Sequence, residues 1–288
     1  MNGPVGFVGL GAIGKPMARR LLAWPPGLHV YDVSAEPLAE LQRDGAKVAS
    51  SVIELARTVR LICVMVRDDD QVAEVLGQIT GTATAGLIVA IHSTVAPETP
   101  QKLAALAAGS GVQVIDAPVS GGAVGAANGS LAIMVGGSDD AFAEAKPVLE
   151  LMGSRVIPAG PLGAGTKMKL ARNLLHFVSF TAASEAQRLA EAAGLDLVAL
   201  GKVVRHTDAI TGGPGAVMHR PSTAEIAPDD FWFGVFEHVR ALGEKDLGFA
   251  IDLAESLGVE VPLARQALRD LGPSLGLPRQ APSSPNPS

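Results

Sequence analysis

The sequence predicts an α/β chain in two parts, an N-terminal doubly wound parallel sheet followed by a long interdomain helix and an all-α C-terminal domain. Three observations carry this reading. Short apolar runs alternate with helix-compatible segments through the first half of the chain. The first of those runs breaks at glycine and resumes with helical character. No Pro or Gly interrupts 166–193, where Leu170, Leu174, Phe177, Val178, Ala182, Leu189 and Ala190 recur near the helical period.

In chain order, the apolar runs at 5–10, 28–31, 61–66, 87–91, 112–115 and 131–135 read as strands, with 155–157 as the last. Segments 35–43 and 99–108 have helical spacing between them. After 158–165 the character changes to helix over 166–193, 195–205, 235–257 and 263–271. The stretch 273–288 is rich in Pro and Ser and is expected to be a loose tail. The expected organisation is therefore a first domain over 1–161, a helical domain over 162–272 and a tail over 273–288.

Composition bounds the function. A chain of 288 residues suits two domains. Hydrophobic residues make up 48% but aromatics only 4%, which fits small aliphatic packing better than a stacking platform for nucleic acid. A net charge of −6 without a Lys/Arg cluster argues against a phosphate-backbone partner. Although mean hydropathy is +0.30, no apolar run approaches the ~18 residues of a membrane span. No basic region precedes the first apolar run, so a cytoplasmic protein without membrane partners is expected. The single cysteine, Cys63, sits in an apolar run and reads as a small buried hydrophobe.

The run Val5-Gly6-Phe7-Val8-Gly9-Leu10-Gly11-Ala12-Ile13-Gly14 is a strand–turn–helix of the Rossmann type, where a dinucleotide pyrophosphate is held. Gly9 permits the turn, Gly11 lets the backbone approach the phosphates, and Gly14 lets the helix pack on the strand, with Leu10, Ala12 and Ile13 completing the loop. The next apolar run ends in Asp32, 32 − 9 = 23 positions past the first glycine, where an acidic residue holds an adenosine ribose diol. A carboxylate repels a 2′-phosphate and the following Val33 and Ser34 supply no arginine, so NAD is favoured over NADP. Arg43 and Lys47 are the nearest basic residues further along.

In the second half, Lys169 and Asn173 stand at i, i+4 near the start of the long helix and share one face. Burial and the positive helix end both lower a lysine pKa, as a group moving protons near neutral pH requires.

Four ordered segments together resemble the β-hydroxyacid dehydrogenase family, of which 3-hydroxyisobutyrate dehydrogenase is the type. They are 6–18, Asp116-Ala117-Pro118-Val119-Ser120-Gly121-Gly122, 163–173 and Lys245-Asp246-Leu247. The resemblance spans the chain to about residue 270 and implies specific roles. Lys169 would be the general acid/base, and Asn173, Ser120, Gly121 and Gly122 would bind substrate. Thr94 would contact the cofactor near the nicotinamide, Lys245 would close over it, and Met65 and Val66 would contact it through backbone. The implied reaction is reversible NAD-linked oxidation of a small, 3-hydroxyisobutyrate-like β-hydroxy acid to its semialdehyde or keto form. The implied assembly is a homodimer or homotetramer through the helical domain.

Several positions depart from the family pattern. Ile91 stands where many relatives carry aspartate and is followed by His92. The loop after 61–66 lacks the usual proline, and the Pro/Ser-rich end replaces an ordered C-terminus. An imine reductase shares the architecture but usually replaces the lysine, and a non-catalytic dinucleotide sensor has no need of Lys169 and Asn173. The six histidines show no metal-ligand spacing, so no metal is expected. Phe231-Trp232-Phe233 reads first as core packing and second as a wall on the substrate side, while Leu275, Leu277 and Pro278 are the residues that would stand in for the relatives' ordered end.

Overall fold

The computed structural model describes residues 2–82 and 86–279. In the first part β1 (Val5–Val8), α1 (Gly14–Arg20), β2 (Leu28–Tyr31), α2 (Ala35–Arg43), β3 (Lys47–Val48), α3 (Val52–Thr58), β4 (Leu61–Val64), α4 (Asp69–Thr80), β5 (Ile88–Ile91), α5 (Thr99–Leu106) and β6 (Gln113–Asp116) alternate strand and helix. The chain continues through β7 (Val119–Ser120), α6 (Gly122–Asn128), β8 (Ala132–Gly136), α7 (Asp139–Leu149) and β9 (Arg155–Gly160). Four longer helices follow: α8 (Ala164–Ala192), α9 (Leu197–Thr211), α10 (Phe231–Ser256) and α11 (Pro262–Ser274).

The strands form one sheet in the order β3-β2-β1-β4-β5-β6-β8-β7, with β9 beside β8. Val5 pairs with Leu28 on one side and Leu61 on the other, so the strand order reverses at β1. A crevice opens outside the carboxyl ends of strands at such a reversal. Both faces are covered, as a parallel sheet requires. Val5, Phe7, Leu61, Cys63, Ile88 and Ala90 enter one core. Their neighbours Val8, Ile62, Val64, Val89 and Ile91 enter the other.

The sheet is not parallel throughout. β8 runs antiparallel to β6 and β7. The expected strands at 5–10 and 61–66 end earlier, at Val8 and Val64, where the chain turns into the crevice loops. The last three expected helices are longer than their patterns. α9 continues to Thr211, where Gly212 at φ +91 stops it, and α10 begins at Phe231, capped by Asp230 accepting the Trp232 N–H at 2.8 Å.

Contacts divide the chain between Asn173 and Leu174, inside α8. The first turns of α8 group with the sheet, and Asp116, at the end of β6, accepts the Gly163 and Thr166 N–H groups where the helix begins. The second unit is helical apart from its loops. Its C-terminal segment corrects the loose-tail expectation: Pro273 and Ser274 belong to α11, and Leu275 and Leu277 are buried with Ile226 and Phe236. Ile226 N–H also donates to Gly276 C=O at 2.8 Å. Two leucines two positions apart supply the apolar surface that the Pro/Ser count concealed. Residues 280–288 of the expected tail lie outside the described residues. Among the described residues no helix is long and apolar enough to cross a membrane.

Candidate active site

The turn after β1 is set by sterics. At Gly9, φ is +92 and a Cβ would lie 2.2 Å from the Met65 carbonyl oxygen, so only glycine lets β1 and β4 end side by side. The loop opens onto a cleft of about 660 Å³ lined by Gly9, Gly11, Ala12, Ile13, Gly14, Asp32, Met65 and Val66. That volume lies in the range of small-molecule sites. Asp32 is tied into the loop: Oδ2 accepts the Leu10 N–H at 2.5 Å and Oδ1 accepts the Ser34 N–H at 2.7 Å. The carboxylate is thus oriented at the cleft rim. Val33 beside it is 94% exposed. Neither Arg43 nor Lys47 lines the cleft, whereas Arg67 does.

The loops after β4 and β5 are joined. Ser93 Oγ accepts the Val66 N–H at 2.9 Å and donates to the Val66 C=O at 2.8 Å. Thr94, the next residue, is exposed and does not line the cleft. His92 is fully buried, with its ring stacked 6.3 Å from that of Phe7. Its Nδ1 lies 2.7 Å from the Ala117 carbonyl oxygen. A carbonyl only accepts, so Nδ1 carries the proton and Nε2, which has no partner, is bare. Desolvation lowers the His92 pKa to about 4, against the opposing effect of that hydrogen bond. His92 is therefore neutral, and among the described residues no group of three His, Cys, Asp or Glu could hold a metal ion.

A second cluster forms where β7 meets α8. Ser120 ends β7, and Gly121 and Gly122 follow at φ +131 and +61, backbone that turns without a Cβ. Lys169 on α8 is 8% exposed, and its Nζ donates to Ser120 Oγ at 2.9 Å. Burial pushes the Lys169 pKa down, and the nearby Arg172 guanidinium pushes it the same way. The neighbouring Lys167 is exposed. Asn173, one turn beyond Lys169, is half-buried and its Oδ1 accepts from Arg172 Nη1 at 3.3 Å. Lys245 lies on α10 in the second unit, exposed, with Nζ 3.3 Å from Asp246 Oδ1.

The structure thus gathers Gly9, Gly11, Ala12, Ile13, Gly14, Asp32, Met65 and Val66 around one cleft and joins Lys169 to Ser120. Sequence reasoning gave no role to Ser93, His92 or Asp116. Only adjacency to Thr94 pointed to Ser93, and an imidazole among apolar strand residues was the sole sign of His92.

Residues 4–160 match the model of the NAD binding domain of 6-phosphogluconate dehydrogenase. Residues 163–271 match that described as NAD-binding of NADP-dependent 3-hydroxyisobutyrate dehydrogenase. An uncharacterized oxidoreductase of Mycobacterium tuberculosis is 52% identical over 277 residues, 95% of this chain and 94% of that protein. Mitochondrial 3-hydroxyisobutyrate dehydrogenase of Mus musculus is 34% identical over 274 residues, 92% of this chain and 79% of that one. A Mycobacterium avium 104 crystal structure, described only as an oxidoreductase, superposes with a TM-score of 0.93 at 49% identity, covering 96% of this chain and 99% of that one. The chain belongs to the β-hydroxyacid dehydrogenase family, NAD(P)-binding oxidoreductases acting on a CH–OH group.

Proposed function

We propose that the chain is an NAD-dependent dehydrogenase that interconverts a small, 3-hydroxyisobutyrate-like β-hydroxy acid and its semialdehyde or keto form, with Lys169 as general acid/base. One observation carries the reading: a buried lysine of lowered pKa donates at 2.9 Å to Ser120 beside a turn of two bare glycines. Desolvation disfavours the charged ammonium and so eases the loss and return of its proton. In oxidation, neutral Lys169 Nζ takes the hydroxyl proton. In reduction, the ammonium returns it. The oxidation rate therefore rises with pH through the lowered Lys169 pKa, and the reduction rate falls through it. Ser120 Oγ, the N–H groups of Gly121 and Gly122, and Asn173 hold the substrate carboxylate and orient the reacting carbon.

Bound NAD supplies the hydride acceptor. The residues present fit it: the cleft is bare at Gly11, where no atom lies within 4 Å of an added Cβ, and Asp32 faces its rim. Asp32 favours a free ribose diol over a phosphate. Thr94 and Lys245 are proposed as further cofactor contacts, on the family resemblance.

A homodimer or homotetramer through the helical unit is also proposed, because α9 has no buried residue while Val198, Val203 and Ile210 stand exposed on it. The test of the activity is a panel of 3-hydroxy acids with NAD and NADP, run on the wild type and on Lys169→Ala. Turnover should fall at least about a hundredfold in the variant, with cofactor affinity kept. Retained turnover at saturating substrate would overturn the role of Lys169.

A further inference from the structure

Asp116, which heads the segment that the family resemblance assigns to substrate binding, carries a buried carboxylate with no individual role in that resemblance. It is 0% exposed, and such a charge is tolerated inside a protein only when hydrogen bonds replace its water. Oδ1 accepts the Gly163 N–H at 2.7 Å and Oδ2 accepts the Thr166 N–H at 2.6 Å, both at the start of α8. The first N–H groups of any helix lack partners within it, and a nearby Ser or Asp ordinarily supplies one. Ser51, Asp68, Ser138, Asp196 and Asp230 do so locally for their own helices. α8 is instead capped from 47 and 50 positions away, by the strand segment that leads within four residues to Ser120.

The contacts close a ring. Asp116 and Ser120 lie on one short segment, Thr166 and Lys169 lie one turn apart on α8, and the two segments meet at both ends. The start of the helix also lies close against the sheet: a Cβ at Gly165 would lie 2.2 Å from the Met134 carbonyl oxygen and 3.0 Å from Asp116 Oδ2. Sliding α8 by one residue moves Lys169 by about 1.5 Å, enough to break a hydrogen bond of 2.9 Å.

We infer that Asp116 is a positioning residue, whose carboxylate fixes where α8 begins and so sets the height at which Lys169 meets Ser120. The inference rests on Lys169 being the proton carrier. Asp116→Asn keeps the shape but turns an amide N–H toward a backbone N–H. With the best acid of the panel, kcat should fall about tenfold to a hundredfold, as displaced catalytic groups do, while the KM for NAD is unchanged. The rise of oxidation rate with pH should also move to higher pH, because a loosened Lys169 regains water. Arg172, the charged group that acts on Lys169, is untouched by the substitution.

An unchanged kcat with an unmoved pH limb would overturn the inference. So would a fall in kcat matched by a rise in the KM for NAD with the limb unmoved, which marks general loosening. If Asp116→Asn is recovered only unfolded, Gly165→Ala carries the same test, since its Cβ pushes the helix start off the strand with both charged groups intact. Lys169→Ala separates the two ideas: if it is inactive while Asp116→Asn behaves as wild type, this inference alone fails. If Lys169→Ala turns over normally, the proton-carrier reading falls first and this one with it.

Discussion

Ser93 closes a two-bond ring on Val66, its hydroxyl accepting from the backbone N–H and donating to the carbonyl of that one residue. A side chain at the end of β5 thereby does for the loop after β4 what a neighbouring strand does for residues further back. Ser93→Ala removes both bonds, and a net hydrogen bond is worth about 1 kcal/mol. The KM for NAD is expected to rise about tenfold, equivalent to ~1.4 kcal/mol, with kcat at saturating cofactor nearly kept. Steady-state kinetics at varied NAD checks this, and an unchanged KM would separate the loop from cofactor binding.

Asp32 sets the expected cofactor preference. The ratio of kcat/KM for NAD over NADP should exceed one in the wild type and shrink in Asp32→Asn, which no longer repels a 2′-phosphate. Preference for NADP in the wild type would point instead to Arg67, the cation that lines the cleft.

His92 predicts an acid limb of stability. Its folded pKa, about 4, lies below the unfolded value near 6.5, so between those values the unfolded chain binds a proton that the folded chain does not. Stability therefore falls as pH drops from 6.5 toward 4, by up to about 3 kcal/mol from this group. Urea unfolding of His92→Gln across that window should show a shallower slope than wild type, and parallel slopes would rule the contribution out.

The C-terminal segment is structural. Leu277 is 2% exposed against Ile226 and Phe236, so Leu277→Ala should cost about 2–5 kcal/mol, the range for buried leucine truncations. Thermal melting measures it, and a change within error would restore the reading of this segment as a loose end.

Local chemistry made much of this legible. The glycine loop and Asp32 follow rules that act within a βαβ unit, and 28–31 and 35–43 coincide with β2 and α2. Lys169 and Asn173 share a helix face through spacing alone. What escaped depends on distant contacts or on brevity. Asp116 meets α8 across 47 and 50 positions, which no periodicity registers. β3 and β7 have two residues each, too few to show alternation. At the C-terminus, prolines and serines outnumbered the two leucines that decide the packing.

α9 is fifteen residues long, and none of them is buried. Helices of that length are marginal in water even for the best sequences, and this one presents Val198, Val203, Val204 and Ile210 to solvent. If a second copy covers these side chains, the persistence of α9 becomes a matter of mass action, and folded content depends on how much protein is in the tube. Dilution then acts on this helix as a denaturant does, and melting curves recorded at different protein concentrations need not coincide.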